Sequence, residues 1–541
     1  MKVGGEFLHL PTSLFRFNPP VIFLRIFIRH CATSVNSLKP FFHMRKRLLL
    51  VLTSILLLAM IYVGCRKDEP IFDLQTSKYP AAVGNIIMTK CAVSGCHNEQ
   101  SKDAAAGLDL TSWDKMMEGD RNGAVCIPYS ADFSTMFLFT NTFEDMGAMV
   151  TPTMPNDGPP LTRQQETVLR DWINAGAPDA KGYVKWSDNP SRQKYYVTQQ
   201  GCDRVAVVDA ETNLQMRYIQ VGADAAVESP HAVRISPDGQ YWYCCFIAGR
   251  YLEKHRTSDD ALVGRILLGP TDSAATGSWN TFAISPDSRY AWVVDWSPAG
   301  RIAWVDLQTM TWRQTYQGSS LFVQPHGSIV SADGNTLYVA PTTGNFIYKI
   351  DVSVPQFPSI DHVIINGDAF ESTANGENAH EICFSPDGTK YFVTCSGSNT
   401  VRVMDIVTDQ LLATIPVGIY PQEMAVSNDP STPYLYVSCM EDTATYPGNR
   451  GSVSIINWQS NTFVSSVNSG FQPHGITVDD DRHVVFVANR NIAPNGPAPH
   501  HTTACGGRNG NFSLINMNTN TLIHGSNTEL ITDPYGAIYR R

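Results

Sequence analysis

The stretch NAHEICFSPDGTKYFVTCSGSNTVRVMDIVTDQLLATIPVG, residues Asn378 to Gly418, decides how most of this chain is read. HEICFS alternates apolar and polar residues, and Asp387-Gly388 supplies a tight hairpin. YFVTC, VRVMD and LLATIPV follow as three more short runs rich in β-branched and aromatic side chains. Period-two runs separated by turn residues predict one four-stranded antiparallel blade.

The unit recurs, and recurrence at a fixed period marks a repeat architecture. SPHAVRISPDG begins at Ser229, SWNTFAISPDS at Ser278, QPHGSIVSADG at Gln324, YPQEMAVSNDP at Tyr420 and QPHGITVDDDR at Gln472. With the Asn378 copy these make six openings, and a seventh, DPYGAIYRR, starts at Asp533 at the very C-terminus. The repeat region begins at Tyr195 with YYVTQQGCDRVAVVDAETNLQMRYIQVG, which has later strands but no opening strand. The two ends therefore complete one blade. The expectation is an all-β seven-bladed propeller over residues 190–541, closed by the C-terminal strand, which leaves no long sheet edge to pair with another chain.

A chain of 541 residues is too long for one average domain, so a second, smaller unit is expected beside the propeller. The formal net charge of -10 argues against nucleic acid as a partner, which is normally met by a basic surface.

Near the N-terminus, MRKRLLLVLTSILLLAMIYVGC from Met44 to Cys65 has a basic start, an uncharged run, and a small residue before a cysteine. It resembles a bacterial lipoprotein signal spanning residues 44–64. That resemblance implies that Cys65 is lipidated and tethers the mature chain to the membrane. It also implies an outer-membrane lipoprotein of the cell envelope, periplasmic or surface-exposed, since the following RKDEP resembles the charged tag of surface-directed lipoproteins. Residues 1–43 read as a non-native extension upstream of the true start. An ordinary transmembrane anchor is the competing reading, at the short limit of what spans a bilayer.

Residues 75–180 differ in composition. YPAAVGNIIMTKCAVSGCHN predicts a short helix from Pro80 running into Cys91, Cys96 and His97. A second helix is expected after Thr162 as N-cap, with Val168, Leu169 and Trp172 on one stripe and Gly176 near its stop. These cysteines and the histidine, together with Met154-Pro155 ahead of a final helix carrying WINAGA, resemble a small all-α cytochrome c-like domain. The resemblance implies covalent haem c, with Cys91 and Cys96 attaching the porphyrin, His97 as one axial ligand of the iron and Met154 as the other. Met149 and Met146 are alternative ligands. The pattern departs from the familiar haem motif, with four residues rather than two between the cysteines. A Cys91–Cys96 disulfide and half of a zinc site remain open as other readings. Pro178 to Gln193 reads as a polar linker into the propeller.

Aligning the openings places His231, Asn280, His326, His380, Gln422, His474 and Tyr535 at one position, at the mouth of the central channel. The histidines His231, His326, His380 and His474 form a possible second metal site, for copper or another transition metal. The Pro-His openings resemble those of the nitrous-oxide reductase propeller, whose histidines hold copper. They equally resemble YVTN-type repeats, to which YYVTQ, YFVTC and LYVSC also point and in which the histidine need not bind metal. The competing reading is that each histidine hydrogen-bonds a neighbouring blade and was copied with the repeat. Long loops follow Met440 and Arg490, and Cys202 and Cys505 fall in equivalent loops of adjacent blades where they could pair. The repeated Asp-Gly pairs read as turns rather than catalytic acids.

Three functions compete. One is haem-dependent electron transfer at the bacterial cell envelope, with the propeller docking a redox partner protein or a small-molecule substrate. Another is an oxidoreductase with its centre at the histidine ring, an arrangement that also resembles the c/d-haem nitrite reductases. The third is a cell-surface binding or scaffold protein without redox activity.

Overall fold

In the computed structural model, residues 74–298, 300–318, 321–493, 495–497, 505, 509–523 and 528–541 are described. The signal at 44–64, the lipidation candidate Cys65 and the extension 1–43 lie outside these residues. Among the described residues no helix is long and apolar enough to cross a membrane.

Seven antiparallel sheets follow one another along the chain, and the repeats predicted from the sequence are these blades. In the first, the C-terminal strand Pro534–Arg540 pairs with Lys194–Gln199, which continues through Arg204–Asp209 to Gln215–Gln220. The ring is thus closed by hydrogen bonds between the two ends of the repeat region. Blades two to six open with the innermost strands Pro230–Ile235, Trp279–Ile284, Pro325–Val330, Ala379–Phe384 and Pro421–Val426. Blade seven opens with Pro473–Asp479 and carries an additional short strand, Thr528–Leu530, on Gly510–Asn516.

Apolar side chains of facing sheets meet between blades, so the core is divided among the clefts around the ring. Trp292, Val294, Ile302 and Trp304 of blade three, for example, pack with Leu337, Val339, Phe346 and Tyr348 of blade four. The hairpins between the first two strands repeat one device. Ser236, Ser285, Ser331 and Ser385 each donate a hydroxyl bond to the aspartate two residues on, at 2.6, 2.5, 2.5 and 2.6 Å. These aspartates are occupied as turn caps, as the sequence predicted.

Residues 74–180 form a helical unit with its own core, built on Tyr79, Ile87, Trp113, Phe137, Leu169 and Trp172. Pro80, at φ -56° and ψ 144°, caps the helix Ala81–Lys90, and Cys91 ends it. Thr162 and Gln165 form a reciprocal capping box at the start of the helix Arg163–Asn174, and Gly176, at φ +99°, follows its end. This unit docks on the outer edge of blade one: Gln215 accepts a 2.9 Å bond from the Ala124 amide and donates to the Glu529 carbonyl. Phe133 packs tilted against Tyr218, with ring centroids 5.0 Å apart.

Candidate functional site

Every innermost strand loses register with its neighbour at the ring position. The shifts fall between Pro230 and Val233, Trp279 and Thr281, Pro325 and Ser328, Ala379 and Ile382, Pro421 and Met424, and Pro473 and Ile476. In blade one the shift lies between Val197 and Gln199, opposite Tyr535 and Gly536. A β-bulge re-aims the side chains it carries, and here the repeat carries the same bulge around the whole ring. Two positions before it the backbone turns left-handed in six blades, at Ser229, Gln324, Asn378, Tyr420, Gln472 and Asp533.

The re-aimed side chains gather on the axis. His231 and His326 face each other with Nε2 atoms 3.5 Å apart, and the rings of His326 and His380 lie 4.0 Å apart between centroids. Tyr535 packs against His474 at 3.7 Å and His231 at 4.1 Å, while His380 and His474 meet edge-on at 6.2 Å. All four imidazoles are buried, as are Asn280, Gln422 and Tyr535. Together they plug the channel. Gln200 bonds His231 Nδ1 at 2.9 Å, and His474 Nδ1 reaches the Tyr535 carbonyl at 3.2 Å. His326 Nδ1, His380 Nδ1 and His474 Nε2 are buried without a partner.

Burial disfavours the charged imidazolium, so all four histidines sit below their ordinary value, His380 at about 4. Arg490 lowers His231 and His474 further. Its guanidinium is held by Asp533 at 2.6 and 2.9 Å and lies 4.5 Å from the centre of the Tyr535 ring. The ring is therefore neutral at physiological pH. Among the described residues no three His, Cys, Asp or Glu side chains gather closely enough to hold a metal ion.

The structure adds groups that alignment of the ring position did not single out. Glu381 and Glu423 occupy the second bulge position, directly after His380 and Gln422. Burial raises both carboxyls, Glu423 to about 8 with Glu381 adding to the shift, while Arg234 opposes it from 3.6 Å off Glu381. The threonine of the YVT runs has a role as well. Thr394 accepts a bond from the Glu381 amide at 2.9 Å and donates to the Gln422 carbonyl of the next blade at 2.8 Å. Thr198 does the same between Gly536 at 2.7 Å and the His231 carbonyl at 3.0 Å. One hydroxyl thus satisfies the bulge and ties it to the following blade. The tie ends on the backbone carbonyl of the ring position, whether that residue is Gln422 or His231, while the His474 ring makes a separate bond to the next blade.

In the helical unit, Cys91, Cys96 and His97 share one tight turn, with the His97 amide bonded to the Cys91 carbonyl at 3.1 Å. Both thiols are free, so the disulfide reading is not the arrangement found. All three side chains are half-buried, and His97 Nδ1 has no partner. Burial lowers the His97 imidazole and pushes the Cys91 thiol up to about 12. Met154, half-buried, is tied to the helix Thr135–Thr140 by its amide bond to the Phe139 carbonyl at 2.7 Å, whereas Met146 is buried and Met149 exposed. Thr140 in turn donates to the buried Glu166 at 3.1 Å, and Glu166 acts electrostatically on Cys91. Burial raises Glu166 to about 7. The remaining pairing expected from the sequence is present: Cys202 and Cys505 form a disulfide.

No family description matches the chain, and no curated protein does. Similar solved structures include a functionally unknown protein from Desulfotomaculum acetoxidans, with 16% identity, TM-score 0.45, and 63% of this chain and 99% of that one covered. A provisionally named 6-phosphogluconolactonase from Bacteroides uniformis has 14% identity and TM-score 0.47 over 64% of this chain and 99% of its own. Hydrazine synthase from Kuenenia stuttgartiensis has 17% identity and TM-score 0.41 over 57% of this chain and 96% of its own.

Proposed function

We propose that the chain is an electron-transfer protein of the bacterial cell envelope, with a cytochrome c-like front unit and a propeller of YVTN type as its docking platform. The observation that carries this reading is the turn Cys91 to His97, where two unbonded thiols and a half-buried imidazole with an unpartnered nitrogen lie within seven residues. That donor set fits a porphyrin. Cys91 and Cys96 would hold it by thioether bonds, His97 would ligate the iron, and Met154 is the preferred second ligand. Such a group supplies one-electron chemistry, and a thioether ligand raises its potential. The tight 91–97 turn, closed by the His97 amide on the Cys91 carbonyl, would hold both attachment points together before the group arrives. The lipidated Cys65 would keep the assembly at the membrane.

The test is a haem stain after denaturing electrophoresis of protein matured with its attachment machinery, together with the visible spectrum. A covalent band with a Soret peak, lost in Cys91→Ala/Cys96→Ala, is expected. Colourless, iron-free protein overturns the proposal.

A second reading, an oxidoreductase with copper or another transition metal at His231, His326, His380 and His474, is favoured by the three unpartnered imidazole nitrogens. The close tilted contacts of His326 with His380 and of Tyr535 with His474 and His231 favour a plug instead. Elemental analysis separates the two: copper at one or more per chain supports the metal, and iron alone supports the plug.

A further inference from the structure

Described residues of three loops, together with Asn511 and Leu522 on two blade-seven strands, line an open cavity of about 440 Å³ to which no ring residue contributes. The loops are the long one of blade six after Cys439, the passage from Val467 to Pro473, and the insertion of blade seven after Asn489. Asn449, Asn468, Ser469, Phe471, Asn495 and Asn511 are its principal lining, and among the described residues no acidic or basic side chain takes part.

The bed is built. Asn489, fully buried beneath it, donates to the Ser469 carbonyl at 3.3 Å, to Asn511 Oδ1 at 2.8 Å and to Ser513 at 3.2 Å. Gln472 accepts from the Ile492 and Ala493 amides at 3.0 and 2.9 Å, and Asn491 donates to the Pro497 carbonyl at 2.9 Å, which ties down residues 491–493 and Pro497. Gly470 is needed because Asn489 fills the space a side chain would take. On this bed some polar capacity is left over. The Ser469 hydroxyl and Asn489 Oδ1 are buried without partners, and the side-chain amides of Asn449, Asn468 and Asn495 make no hydrogen bond to any described residue. Buried polar groups are ordinarily paired, so the Ser469 hydroxyl and Asn489 Oδ1 suit the cavity to a ligand that pairs them, and the half-exposed Asn449 and Asn468 and the exposed Asn495 offer further amides around it.

The lining selects the ligand's chemistry. An amide offers a donor and an acceptor side by side, which matches the adjacent hydroxyls of a sugar ring. A phosphate or carboxylate would lose its water and meet no counter-charge among the described lining residues. Phe471 and the half-exposed Leu522 add an apolar wall for a C–H face. The volume falls within the range of about 300–1,000 Å³ typical of small-molecule sites. We infer that this cavity binds a neutral carbohydrate, with Asn449, Asn468 and Asn495 paired to its hydroxyls.

Purified full-length chain is titrated calorimetrically with maltotriose, cellotriose, mannotriose and N,N',N''-triacetylchitotriose. Trigalacturonate and an uncharged Gly/Asn hexapeptide serve as comparisons. At least one neutral trisaccharide should saturate with a Kd of about 1 mM or tighter, while trigalacturonate and the peptide do not. Asn449→Ala and Asn468→Ala should each weaken it about tenfold, without moving the unfolding temperature, since both side chains are half-exposed. The inference is overturned if no neutral trisaccharide saturates by about 10 mM, if the charged sugar or the peptide binds as well, or if both variants bind like the parent. Haem plays no part in the readout, so colourless protein that binds sugar would end the electron-transfer proposal and leave this one standing.

Discussion

At the scale of single residues, the axis sets two opposing pH dependences. The folded state holds the Glu423 proton up to about 8, whereas the unfolded chain releases it near 4.5. Stability from this group is therefore lost as pH rises between those values, by at most about 1.4 kcal/mol per pH unit. The four imidazoles act in the other direction. Neutral in the fold, they take up protons in the unfolded chain below about 6.5, so stability also falls on acidification. Arg490 and Tyr535 face the ring, and Arg234 and Glu381 face Glu423, so none of these shifts belongs to one residue alone. Thermal unfolding from pH 5 to 9 should show a maximum between the two limbs. In Glu423→Gln the alkaline limb should become shallower, with Glu381 and Glu166 still contributing to it, while the acid limb stays. An unchanged alkaline limb would mean that Glu423 is ionised in the fold.

Among the elements, the innermost strands depend on how closely their bulges approach. A side chain on Gly475 would collide with the Tyr535 carbonyl, and one on Gly327 with the His380 carbonyl. Gly475→Ala should cost about 1–3 kcal/mol in urea unfolding, although the position lies in regular strand sequence and carries no visible turn signal. The final helix of the front unit gives a smaller effect by a different cause. Thr162→Ala removes half of the capping box and should cost about 1 kcal/mol, which hydrogen exchange across residues 163–174 would localise. Loss of protection spread over the propeller would contradict this. The YVT threonines couple the two levels, since one hydroxyl both completes a bulge and holds the next blade.

For the whole molecule, closure is the controlling feature. Deleting residues 533–541 removes the innermost strand of blade one and exposes the edge of Lys194–Gln199, and the shortened chain should aggregate or fail to fold. Soluble, cooperatively unfolding protein of native size would contradict the closure described. The Cys202–Cys505 disulfide links blade one to the blade-seven insertion across 303 residues. Cys505→Ser should lower stability by about 2–5 kcal/mol, measured by denaturant titration under oxidising conditions.

Periodicity alone determined the propeller, its blade count, its closure by the last strand, the turn role of the Asp-Gly pairs and the membership of the axial ring. These are local or repeated properties, and a side-chain period of two together with turn chemistry is written directly in residues such as HEICFSPDG. Tertiary structure decided what no single copy of the repeat contains. Glu381, Glu423 and Arg234 look like ordinary exposed strand residues until a bulge and ring closure bring them inward. Likewise the Asn-lined cavity draws on three loops whose contact depends on how blades six and seven face each other. The docking of Gln215 on Ala124 and Glu529 joins residues far apart in the chain, and such a contact exists only once the ring has closed.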